Sequence, residues 1–125
     1  TIYERKNRTK GFNMSPDKTY KKVRLREHFK GIDVKGDILE IKIWEVPKRI
    51  GYGEGVKYSF VFIHNGVRII GYDNYENKGH HKHLRGVESR TYFTSISDLK
   101  AQFKKDVKAA REELYGEANA KNKTN

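Results

Sequence analysis

The sequence predicts an α+β fold, with a mostly antiparallel sheet of four to five strands and a C-terminal amphipathic helix packed on one face. Three observations support this prediction. Apolar and polar residues alternate in several short segments, an Asn-Gly pair separates two of these segments, and apolar residues near the C-terminus recur at spacings of three and four. The 125 residues are enough for one domain with a single core.

The first two predicted strands lie in the segments KVRLREHF and ILEIKIWEV. Both alternate as half-buried strands do, and the turn-rich KGIDVKGD separates them. In the second strand Leu39, Ile41 and Ile43 form the better core stripe. Trp44 is also expected in the core, as most tryptophans are largely buried. Pro47 ends the strand because proline has no amide hydrogen to donate.

The next two strands, VKYSFVFIH and VRIIGYDN, form a predicted hairpin. Asn65-Gly66 lies between them, and this dipeptide is the strongest short-range hairpin signal. The hairpin places Tyr72, Asp73 and Asn74 at the far end of its second strand. A further short strand is predicted at SRTYFTS.

The C-terminal segment predicts a helix that begins at a Ser95 or Ser97 cap and ends near Gly116. Its apolar stripe consists of Ile96, Leu99, Phe103, Val107, Ala110 and Leu114. The domain is therefore expected to span residues 22–115. Residues 1–21 are expected to be a basic arm that is flexible or ordered by a partner, and residues 116–125 a polar tail.

The composition limits the function classes. The chain lacks cysteine, which excludes disulfides, thiolate zinc sites and a cysteine nucleophile. It has no apolar run long enough to cross a bilayer, so a cytoplasmic protein without membrane contact is expected. The formal net charge of +11 is concentrated toward the two ends of the chain, which favours a polyanionic partner such as nucleic acid over an acidic protein or a merely solvated surface.

The segment GYDNYENKGHHKHLRG, residues 71–86, is the densest cluster of chemically reactive side chains. Three interpretations are open. His81 and His83, with Asp73, could hold a metal ion, although ligand type alone selects poorly. The same residues could perform general acid–base chemistry, because histidine titrates near neutrality. The segment could also be an ordinary polar loop.

Acid–base chemistry requires a base for the 2′-hydroxyl of RNA, an acid for the leaving 5′-oxygen, and cations for the phosphate. All of these groups occur within or just after this segment. The candidate substrate-binding residues are Tyr72, Asn74, His80, Lys82, Arg85 and Arg90.

Four motifs in this order resemble the TumE-like toxins of prokaryotic toxin–antitoxin systems. They are WEVP at 44–47, YSFV at 58–61, YDN at 72–74 and HHKH at 80–83. The resemblance covers roughly residues 22–115, and the segment before residue 22 shows no motif of this family. It implies a toxin encoded beside a helix-turn-helix antitoxin, with ribonuclease activity as the usual expectation.

The leading hypothesis is therefore a metal-independent endoribonuclease toxin without a cofactor. In this hypothesis His81 and His83 share the acid and base roles, and Asp73 orients one imidazole. RNA and the antitoxin are the expected partners, and a homo-oligomer or a toxin–antitoxin complex is the expected assembly. The alternatives are a non-catalytic basic module that binds nucleic acid or the antitoxin, and a metal-dependent nuclease.

Overall fold

The computed structural model describes residues 6–11, 23–49, 51–74 and 78–123, and for 6–11 and 117–123 it describes the backbone alone. The chain divides into two compact units, Thr1–Tyr92 and Phe93–Asn125. The first contains seven strands and the second a helix. They are β1 Lys6–Gly11, β2 Arg24–Ile32, β3 Ile38–Glu45, β4 Val56–His64, β5 Val67–Asp73, β6 His81–Leu84, β7 Val87–Arg90 and α1 Ile96–Lys123.

The strands form one antiparallel sheet in which their spatial order is their chain order. The predicted α+β class is confirmed, whereas the predicted count of four to five strands is too low. One additional strand, β1, comes from the segment expected to be an arm. Another, β6, is formed by the histidine segment that was expected to be a loop. The strand expected at SRTYFTS reaches only to Arg90, as the end of β7.

One face of the sheet carries an apolar core. The register pairs the predicted stripe of β3 with Tyr58, Phe60 and Phe62 of β4, and the same face continues to Ile70 and Tyr72 of β5. All of these side chains are buried. Burying each one contributes on the order of 1.5–3 kcal/mol, so this stripe is a main source of the stability of the sheet.

The other face carries a continuous line of polar residues, one from each of six neighbouring strands. In order from β2 to β7 they are His28, Lys42, Ser59, Asp73, His81 and Arg90. We call this line the cross-strand row. Since paired residues in a sheet point to the same side, the register alone places these six side chains on one face.

Two tight turns fix the register near the C-terminal half of the sheet. Asn65 and Gly66 both have positive φ, 50° and 74°, as the predicted hairpin requires. Arg85 and Gly86 have nearly the same values, 50° and 82°. Arginine rarely adopts this conformation, so the sequence gives only a weak signal for the hairpin between β6 and β7.

The helix α1 begins at the predicted cap. The amide of Asp98 donates a hydrogen bond of 3.0 Å to Ser95 Oγ, and the hydroxyl of Thr94 donates one of 2.6 Å to Asp98 Oδ2. The helix continues beyond Gly116, its expected end, through Lys123. Within the described part of the chain, no helix is both long enough and apolar enough to span a membrane.

Candidate functional site

Asp73, His81 and His83 meet on the polar face of β5 and β6. Asp73 is paired with His81, and His83 is paired with Gly71. The two histidines alternate along β6, so their side chains point the same way from positions about 7 Å apart. Asp73 Oδ2 lies 3.8 Å from His83 Nε2, within the range of an ion pair.

The two imidazoles differ in their surroundings. His81 donates a hydrogen bond from Nε2 to the carbonyl oxygen of Lys78. Its Nδ1 is buried and lies 3.1 Å from Glu88 Oε1, but without the alignment of a hydrogen bond. Among the described residues, His83 makes no hydrogen bond to a backbone carbonyl. Its Nε2 faces Asp73, so a proton on Nε2 leaves Nδ1 as the basic nitrogen for proton transfer.

Burial raises the pKa of Asp73 above its ordinary value of 3.8, although His83, Arg68 and His81 each act to lower it. The residue as a whole is 8% exposed. Loss of water, aided by the charge of Glu88, therefore outweighs these three favourable interactions. A buried carboxyl that is costly to ionise, beside imidazoles, is a common feature of functional sites.

Arg68 is a site residue that the sequence did not indicate. A Cβ atom at Gly71 would lie 3.1 Å from the Cδ of Arg68 and 3.4 Å from its Nη1, so glycine leaves room for this side chain to lie along β5. The guanidinium thereby approaches Asp73 and the polar face. The available signal was the glycine inside a strand, which often marks a close approach.

Of the two arginines predicted to bind phosphate, only Arg90 is paired directly with a histidine, His81. Arg85 lies in the turn at the other end of the same hairpin. Along the strand it is about 13 Å from His81 and about 7 Å from His83.

Three other candidates lie on the core face. Lys82 points away from its histidine neighbours, and its ammonium lies 5.7 Å from the centroid of the Tyr72 ring. Tyr72 is 0% exposed, so in this structure its ring offers no open face for stacking a base. Asn74 accepts a bond of 2.9 Å from the amide of Tyr58 and donates one of 2.8 Å to the carbonyl of Val56. Its amide thus holds the start of β4.

His80 belongs to a chain of three polar groups. Its Nε2 lies 3.2 Å from Glu54 Oε1 and its Nδ1 lies 2.8 Å from the hydroxyl of Tyr58. The carboxylate accepts the Nε2 proton, which leaves Nδ1 to accept the hydroxyl proton of Tyr58. Burial, together with the charges of Asp73 and Glu54, raises the pKa of Tyr58. The tyrosine therefore stays neutral and fixes His80 at the entry to β6.

Metal binding was one sequence-based alternative. Among the residues that the structure describes, no three His, Asp or Glu side chains are grouped as ligands for one ion. The arrangement of Asp73, His81 and His83 is that of a carboxylate beside two imidazoles, with Arg68 and Arg90 as flanking cations.

Comparison with known proteins gave one family. A family model described as Toxin TumE matches residues 3–111, so the match also covers most of the N-terminal segment in which the sequence shows no family motif. No curated protein and no solved structure matches the chain significantly. Because the match spans nearly the whole chain and contains the four motifs, the protein belongs to the TumE toxin family.

Proposed function

We propose that this toxin is a metal-independent endoribonuclease that acts on cytoplasmic RNA. The observation that carries the proposal is the placement of Asp73, His81 and His83 on one face of paired strands, with a carboxylate 3.8 Å from an imidazole. The family supports the role of a toxin, and the excess of basic residues suits a polyanionic substrate.

In the proposed reaction, His83 removes the proton of a 2′-hydroxyl group. The 2′-oxygen attacks the adjacent phosphorus, the bond from phosphorus to the 5′-oxygen breaks, and His81 protonates that leaving oxygen. The products are a 2′,3′-cyclic phosphate and a 5′-hydroxyl. Asp73 orients His83, while Arg68 and Arg90 stabilise the charge on the phosphate.

His81 Nε2 is held by the carbonyl of Lys78 in the free protein. We infer that the bound phosphodiester displaces this contact, so that its leaving 5′-oxygen receives the proton of His81. The proposed antitoxin is a helix-turn-helix protein whose binding to this basic toxin prevents RNA from reaching the histidines.

The test is RNA cleavage by the purified protein, with and without EDTA, followed by mapping of the cut ends. His81→Ala and His83→Ala are each expected to lower the cleavage rate roughly 10²- to 10⁴-fold without loss of RNA affinity. His64→Ala is the matched control, because His64 lies at the other end of β4 and contacts Asp37. Activity that EDTA abolishes and a divalent ion restores would replace this mechanism by a metal-dependent one.

A non-catalytic binding module is the second candidate. The observation that favours it is the engagement of His81, whose two nitrogens both face protein groups. In that case folded protein would bind RNA with a steep salt dependence, would not cleave it, and would lose affinity through its basic residues rather than through His83.

A further inference from the structure

We propose that the cross-strand row is the binding track for a single-stranded RNA segment that crosses the sheet perpendicular to its strands, with Lys42 as a phosphate contact and Trp44 as a base-stacking platform. The proposal rests on the proposed function and extends it to residues on β3 and β4.

The row is continuous with the candidate site. Ser59 is paired with Asp73 across β4 and β5, and Lys42 is the next residue in the row, on β3. At ~4.8 Å per strand, the six residues of the row span about 24 Å. A segment on the order of four nucleotides fits that width, at the lower end of the site sizes of sheet domains that bind single strands.

Lys42 is available for a phosphate. Its ammonium lies 3.9 Å from Glu40 Oε2, at the limit of an ion pair, and its side chain is 39% exposed. The same carboxylate oxygen lies only 2.6 Å from His28 Nε2. Because His28 is the closer partner of Glu40, the positive charge of Lys42 is incompletely neutralised within the protein.

Trp44 provides an aromatic surface beside Lys42. It was expected in the core, but it lies on the polar face, where it is half-buried and paired with Lys57. The ammonium of Lys57 lies 5.3 Å from the ring centroid. A ring with a cation beside it offers both stacking for a base and charge for the adjoining phosphate, and these are the two elements of single-strand binding.

Charge decides which partner occupies this face. The cations of this face outnumber its acids: the cations are Lys30, Lys42, Lys57, Arg68 and Arg90, and the acids are Glu40, Asp73 and Glu88. The chain as a whole carries a net charge of +11. The face therefore suits a polyanion. RNA is the polyanion that the histidines can process, whereas an acidic protein segment would use the cations but not the row of catalytic groups.

Trp44 is the only tryptophan, so its fluorescence reports directly on the face. The probe is a short 2′-O-methyl oligonucleotide, which lacks the attacking hydroxyl and is not cleaved. We expect saturable quenching. Lys42→Ala should weaken binding roughly tenfold and lower the salt slope by about 0.7, as loss of one phosphate contact does for a single strand. Lys42→Arg should restore binding, and Lys104→Ala on α1 is the matched control.

Trp44→Ala, followed by anisotropy of a labelled probe, should weaken binding roughly tenfold or more. The track would be overturned if the oligonucleotide bound without changing the fluorescence of Trp44 and if wild type and Lys42→Ala bound it with equal affinity. So would quenching by a polyglutamate peptide but not by the oligonucleotide.

The cleavage assay separates the two proposals. If wild type cleaves RNA and neither Lys42→Ala nor Trp44→Ala raises KM, the track is wrong and the nuclease remains. If RNA binds along the row but intact RNA is not cleaved, the track remains and the nuclease is wrong.

Discussion

Asp73 is the residue at which the stability of the fold and the proposed activity make opposite demands. Its raised pKa means that the folded state holds a proton more tightly than the unfolded state. The free energy of unfolding therefore falls as the pH rises from the unfolded pKa through the higher folded one. A group that destabilises the fold in this way is typical of a functional position.

Asp73→Asn is accordingly expected to remove this pH dependence and to equal or exceed wild type in stability at neutral pH, while cleavage falls because His83 loses its orienting carboxylate. Urea unfolding at neutral and acid pH, together with single-turnover cleavage, measures both effects. Glu45→Gln, at a carboxylate that pairs with Arg26 away from the row, is the control. A large loss of stability at neutral pH would show instead that the attraction to His83 and Arg68 dominates.

Tyr58 gives a second pH-dependent expectation with its own sign. Its pKa is raised from 10.0, so above about pH 10 the unfolded chain loses a phenolic proton that the folded chain retains. The stability of wild type should then fall by up to about 1.4 kcal/mol per pH unit from this residue. Tyr58→Phe should show a shallower fall. The other tyrosines are common to both proteins, so equal slopes would mean that the hydroxyl ionises normally.

At the scale of elements, β6 shows what the sequence could and could not reveal. The apolar alternation of β3 and β4 is visible because one face is buried, and the Asn65-Gly66 hairpin followed from its turn residues. In contrast, β6 has histidines on one face and Lys82 and Leu84 on the other, so it lacks a clear apolar alternation. Its turn uses Arg85 in place of the usual asparagine. The sequence thus indicated candidate residues in this segment, but it did not indicate that they are divided between two faces of the sheet.

The entry to β6 should depend on the contacts of His80. His80→Ala removes the links to Tyr58 and Glu54, so the backbone amides of His81 and His83 should exchange with solvent roughly fivefold faster, as expected for loss of about 1 kcal/mol of local hydrogen bonding. The cleavage rate should fall with little change in RNA affinity, because the histidine that follows is no longer held in position.

Glu54→Gln is the informative comparison for His80, because an amide oxygen still accepts the proton of Nε2. Near-wild-type exchange and cleavage in this variant would support a positioning role. A drop in RNA affinity in His80→Ala, with unchanged amide exchange, would make His80 a substrate-binding residue instead.

At the scale of the whole molecule, the basic N-terminal segment forms the edge of the sheet opposite β7. The segment expected to be an arm supplies β1, and the register pairs Arg8 with His28. Arg8 therefore occupies the next register position beyond the row, with four strands between β1 and β6. The sequence showed that this segment was basic, but its pairing with β2 depends on backbone hydrogen bonds that no apolar pattern marks.

Combined replacement of Lys6, Arg8 and Lys10 by glutamine should weaken the binding of long RNA and lower the salt slope by about 2, through loss of up to three phosphate contacts. The rate of cleavage at saturating RNA should not change, because β1 is separated from β6 by four intervening strands, or about 24 Å. Single-turnover rates across a series of RNA and salt concentrations test both statements.

The control for β1 is the same change of charge at Lys104, Lys105 and Lys108 of α1. If both triple variants weaken binding equally, the contribution of β1 is only that of net charge, as expected for long-range attraction. If the β1 variant alone loses affinity, and only for RNA longer than the row, the polyanion follows the sheet from β7 to β1. A lower rate at saturating RNA would instead place β1 within the reacting site.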